Sequence, residues 1–167
     1  LGALYLAQGN YQKAESFYQK SLAIRKKVLV EQHPDTATSL NDLALLYKNQ
    51  GKYQEAEPLY QQALAIRKKV LGDQHPDTAT SLNDLALLYK SQGNYQKAEP
   101  LYQQALAIYR KVLGNEHPYT ANSLNHLGVL SLATDRLALA IDYFKEGTNI
   151  EEINLSKFLN NIGNESR

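Results

Sequence analysis

The stretch HPDTATSLNDLALLYK stands at 33–48 and again, unchanged, at 75–90; a looser copy, HPYTANSLNHLGVLSL, follows at 117–132. The His-Pro pairs beginning at His33, His75 and His117 are 42 residues apart, and 33–74 differs from 75–116 at only seven positions. A period of this length leaves few folds open, because each repeat is one small unit whose apolar face must be covered by its neighbours. Residues 1–32 carry the end of an earlier copy, GNYQKAESFYQKSLAIRKKVL against GKYQEAEPLYQQALAIRKKVL. After residue 130 the pattern decays, until LNNIG at 159–163 echoes LNHLG at 124–128. The chain therefore reads as one array: a truncated repeat over 1–32, repeats over 33–74 and 75–116, a divergent repeat over 117–153, and a terminal capping helix over 154–167. Its start at LGALYLAQG, inside what aligns as a first helix, reads as an array cut from something longer.

Each unit holds two helical patterns. At 100° per residue, Leu40, Leu43, Ala44, Leu46 and Tyr47 share one arc of the first. In the second, from Tyr53 to Leu71, the apolar face is Ala56, Leu59, Tyr60, Ala63, Leu64, Ile66 and Val70, opposite Gln54, Gln61, Gln62, Lys68 and Lys69. Pro34 and Asp35 suit a helix start, where proline loses no hydrogen bond and an acid meets the positive end of the dipole. Gly51, like Gly9 and Gly93, separates the helices, and Arg67, Lys68 and Lys69 complement the C-terminal end of the second. The expected fold is all-α, a solenoid of helix pairs.

Composition removes several function classes. With 18 basic and 17 acidic residues the net charge is +1, which makes no electrostatic case for nucleic acid or an anionic membrane. The absence of cysteine excludes disulfides and thiolate metal sites and is compatible with a cytoplasmic location. No apolar run approaches the roughly 20 residues a membrane helix needs. His33, His75 and His117 repeat too far apart to share one metal ion, since equivalent helices pack about 10 Å apart. His126 stands alone on a helix face. No nucleophile sits beside a base and no phosphate loop is present, so neither catalysis nor a cofactor is expected. The IRKK runs at 24–27 and 66–69 read as dipole complement and solvated outer face.

The order Leu40, Leu43-Ala44, Tyr47, Gly51, Tyr53, Ala56, Tyr60, Ala63 resembles the tetratricopeptide repeat. The 42-residue length and the YQEAEPLYQQALAIRKKVLG second half are similar to its kinesin light chain and nephrocystin-type subgroup. That resemblance implies a right-handed superhelix of helix-turn-helix repeats whose first helices line a concave, peptide-binding surface. Members of the subgroup typically carry LNNLA, where this chain has Asp42 and Asp84 in place of the second asparagine.

One arc of the first helix fits such a surface. Thr38, Asn41, Leu45 and Lys48 face away from the core arc, and Thr80, Asn83, Leu87 and Lys90 repeat them; Asn125 and Val129 follow, with Asn160 as the next candidate. Stacked, Leu45, Leu87 and Val129 form an apolar strip, and asparagines can pair with the amides and carbonyls of an extended peptide. The expected function is a non-enzymatic scaffold for a protein or peptide partner. The alternatives are a structural segment that self-associates end to end and the sensor arm of a larger signalling ATPase.

Overall fold

The computed structural model describes the backbone of residues 1–29 and 32–165, with side chains through residue 160. Eight helices occupy those residues: α1 (Gly2–Ala7), α2 (Tyr11–Val28), α3 (Pro34–Asn49), α4 (Tyr53–Leu71), α5 (Pro76–Ser91), α6 (Tyr95–Leu113), α7 (Pro118–Ala133) and α8 (Leu137–Glu165). Odd-numbered helices are the first of each pair. Each packs on its own partner and on the second helix of the pair before it, so the chain is a continuous superhelical solenoid.

The repeated histidine is a helix cap. The Nδ1 atoms of His33, His75 and His117 accept the backbone N–H of Asp35, Asp77 and Tyr119, each at 3.1 Å, which satisfies an otherwise unpaired donor in the first turn. Gly51 and Gly93 turn the chain at φ +75° and +74°, and in the divergent repeat Asp135 takes the same place at φ +56°. Asn10 and Asn94 cap α2 and α6 through Lys13 and Lys97 N–H, whereas Lys52, with nearly the same φ and ψ as Asn94, gives α4 no side-chain cap. Lys52→Asn should therefore stabilise the chain by about 0.5–1 kcal/mol, read as a higher urea midpoint at unchanged slope.

Small residues set the helix spacing. Ala44, Ala56, Ala63, Ala86, Ala98 and Ala105 are fully buried, around the buried Tyr60 and Tyr102. Where α7 meets α8, Gly128 replaces the alanine and Phe144 the tyrosine; a Cβ at Gly128 would lie 2.7 Å from the Phe144 ring. Repeats are also tied by Tyr47 Oη donating to Glu15 (2.9 Å) and Tyr89 Oη to Glu57 (2.7 Å). Ser131 occupies the next tyrosine position, too short to reach Glu99. Arg136 instead holds that carboxylate through two bonds, at 2.7 and 3.0 Å.

Three expectations need correction. Arg67 is not on the outer face: it is 7% exposed, while Val70, placed in the apolar arc, is 47% exposed. The reason is a set of acceptors in the next repeat, with Nη1 donating to Ser81 Oγ (2.8 Å) and the Asp77 carbonyl (3.2 Å). Arg25 makes the same contacts with Ser39 and Asp35. Secondly, 154–167 is not a separate helix; as far as Glu165 it prolongs α8, and 166–167 lie outside the described residues. Gly72 and Gly114, at φ +93° and +96°, end α4 and α6, but Ser156 stands at the equivalent place and no His-Pro follows. Thirdly, this extension does not bury the last apolar face, because Leu155, Phe158 and Leu159 are exposed. Asn160 lies on it rather than on a further first helix.

Candidate functional site

The first helices approach one another, and α3 packs directly on α5. Side chains join them in register. Asn41 Nδ2 donates to Asp84 Oδ2, and Asn83 Oδ1 lies 3.3 Å from His126 Nδ1. Asn125 Nδ2 donates to Glu151 Oε1 on α8 at 3.0 Å. All three asparagines of the expected ladder thus spend part of their hydrogen-bonding capacity within the protein, Asn41 and Asn83 toward the next unit and Asn125 within its own helix pair. The Oδ1 of Asn41 is buried without a partner among the described residues.

The other expected groove residues divide into two groups. Thr38 and Thr80 belong to the seam between repeats: Thr38 Oγ1 accepts from Arg67 Nη2 (3.3 Å), and Thr80 Oγ1 lies 2.9 Å from the hydroxyl of Tyr109, which replaces the arginine in that copy. Leu45, Leu87, Lys48 and Lys90 are half-buried, and Val129 is 39% exposed. Leu87 packs against the main apolar cluster. Burial lowers the Lys48 ammonium below its ordinary pKa; Asp84 opposes the shift and Lys90 adds to it.

The residues one step beyond the asparagines, Asp42, Asp84 and His126, are all shifted from their ordinary pKa values. Burial raises both carboxyls above the usual range. Arg25 and Arg67 oppose this at Asp42; the Asn41 bond, Arg67 and Lys48 oppose it at Asp84, where Asp42 adds to it. His126 is not alone on its face: its ring centroid lies 5.1 Å from that of Tyr102. Its pKa is lowered to about 4, first by burial and then by Lys90 and Lys48. The signal for it was in the alignment, which puts 126 at the position of 42 and 84.

A cleft of about 420 Å³ lies between α7 and α8, walled by Asn122, Asn125, His126, Glu151 and Asn154. Among the described residues no three His, Asp or Glu side chains gather as metal ligands, and no helix is long and apolar enough to cross a membrane.

Comparison with known proteins agrees with this architecture. The family profile described as Tetratricopeptide repeat matches residues 1–69, 43–111 and 90–152. Among solved structures, BtubC (BKLC) from P. vanneervenii superposes with a TM-score of 0.80 at 29% identity, over 91% of this chain and 60% of that one. A Podosopora anserina kinesin light chain with nearly identical TPR-like repeats gives a TM-score of 0.73 at 32% identity, over 92% and 73%. A nucleotide-binding leucine-rich repeat (NLR)-like protein from Hyaloscypha variabilis is 46% identical over 41 residues, which is 25% of this chain and 4% of that protein. The chain thus spans 60% of the length of BtubC and 4% of that of the fungal NLR-like protein. The tetratricopeptide fold is in general a protein-interaction scaffold and typically non-catalytic. With the profile matching from residue 1 to 152, this chain belongs to the tetratricopeptide repeat family, and its repeats are of the kinesin light chain type.

Proposed function

We propose that this chain is a non-catalytic interaction module that holds an extended peptide segment of a protein partner along α3, α5 and α7. The observation that carries the reading is the row Leu45, Leu87 and Val129, which recurs at the repeat period near Lys48 and Lys90 in sequence, with Val129 39% exposed. Apolar side chains of a peptide would rest on that row, and the remaining asparagine donors and acceptors would take its main chain.

The test is a random decapeptide library screened against the chain, followed by Val129→Asp. Binding of retained peptides should fall at least about tenfold, the worth of one good contact. Melting should stay within about 0.5 kcal/mol, because the residue is at the surface. Equal binding by both forms would remove the groove from the account.

Two further readings rest on single observations. The apolar Leu1 and Leu4 at one end and Leu155, Phe158 and Leu159 at the other are exposed, which favours end-to-end self-association; mass growing with concentration in light scattering would support it. The likeness to the NLR-like protein favours a repeat arm in a larger nucleotide-binding protein. ATP hydrolysis by the full gene product, with and without these repeats, tests that.

A further inference from the structure

We propose that the cleft between α7 and α8 receives an arginine side chain of the bound segment, so that the groove reads a peptide of mixed charge, basic at this end and acidic toward Lys90 and Lys48. This inference rests on the groove reading above and adds to it a specificity pocket.

The chemistry of the cleft changes sharply from that of the same position earlier in the chain. Residue 151 aligns with Arg67 and Tyr109, which are buried in the seams that follow them. Here the residue is Glu151, exposed at the cleft. It is the one charged side chain lining the cleft among the described residues. Asn125 Nδ2 holds its Oε1 at 3.0 Å, and Oε2 has no hydrogen bond among those residues.

The remaining walls offer acceptors. Asn154 Nδ2 is spent on the Glu116 carbonyl at 2.8 Å, which leaves its Oδ1. Asn83 Oδ1 faces His126 Nδ1 at 3.3 Å; assigned from that contact, the proton sits on Nδ1 and Nε2 is the acceptor. A carboxylate with an amide oxygen and an imidazole nitrogen suits a cation with several donors. A guanidinium meets a carboxylate bidentately and is more weakly hydrated than an ammonium.

The position of Glu151 also depends on a helix-interior glycine. A Cβ on Gly147 would lie 2.6 Å from Asn125 Oδ1. The equivalent residues Ala63 and Ala105 are fully buried alanines. Glycine inside a helix costs about 1 kcal/mol relative to alanine. The space it leaves seats the Asn125 carbonyl, and the Asn125 amide in turn holds the Glu151 carboxylate. Lys90 and Lys48, whose charges also reach His126, supply the opposite charge.

The experiment uses the same random decapeptide library with the wild-type chain, Glu151→Gln and Glu151→Lys. Glutamine keeps an oxygen for Asn125, so Glu151→Gln should melt as wild type does. Wild type should retain peptides with arginine enriched at one position. Glu151→Gln should bind those peptides about tenfold more weakly, and Glu151→Lys should shift selection there toward Asp or Glu. Retained peptides without arginine enrichment, or the same set selected by Glu151→Gln, would overturn this pocket while leaving the groove standing. Failure of the wild type to retain any peptide would overturn both.

Discussion

Leu88→Ala is expected to lower the unfolding free energy by about 2–5 kcal/mol. Leu88 is 0% exposed and belongs to an apolar cluster that runs from Ala44 in α3 to Ile150 in α8. Removing its side chain opens a cavity walled by more than one repeat, and backbones held apart by packed tyrosines and alanines relax into it only partly. Urea denaturation should show one transition, displaced to lower urea with its slope preserved. Val70→Ala, at an exposed position, should stay within about 0.5 kcal/mol. Two separate transitions for Leu88→Ala would mean that the repeats on either side of α5 fold independently, contrary to the continuous cluster.

The second large effect is expected on acidification. The His126 pKa is lowered to about 4 from an ordinary value near 6.5, chiefly because the charged ring would be buried against Tyr102 and Asn83, and further because Lys90 and Lys48 repel it. The unfolded chain therefore binds a proton that the folded chain refuses. The stability from neutral His126 is complete above about pH 6.5 and is lost as pH falls toward about 4. Between pH 7 and 4.5 that loss is about 2–3 kcal/mol. Asp42 and Asp84, both raised, act in the opposite sense, since protonation is easier for them in the folded state. The clean measurement is a difference: stability of the wild type minus that of His126→Asn, followed by urea titration across this range. It should fall with pH by that amount, and a flat difference would contradict the placement of the ring.

How much of this was legible follows from what each residue interacts with. The 42-residue period, the His-Pro helix starts, the positive-φ glycines and the buried Ala56 and Ala63 are local or periodic features, and a helical wheel exposes them. Arg67 was misplaced because a wheel sorts residues by polarity, whereas its position is decided by Ser81 and the Asp77 carbonyl in the following repeat. The asparagine row was legible as a row but not as a set of internal bonds. The partners of Asn41 and Asn83 lie 43 residues on in the next unit and that of Asn125 lies on the second helix of its own pair, and nothing within one helix points to them. Likewise Gly147 carries no meaning until Asn125 is seen against it. The run-on of α8 is readable in the sequence, since Ser156 replaces the glycine that ends α4 and α6.

The most direct test of the interaction surface is a chemical-shift map of the ¹⁵N-labelled chain as a library-selected peptide is added. The account predicts perturbations concentrated on α3, α5 and α7, with the side-chain amides of Asn83, Asn122 and Asn125 among the largest. Perturbations confined to the outer faces of α2, α4 and α6, around Lys27, Lys69 and Val112, would contradict it.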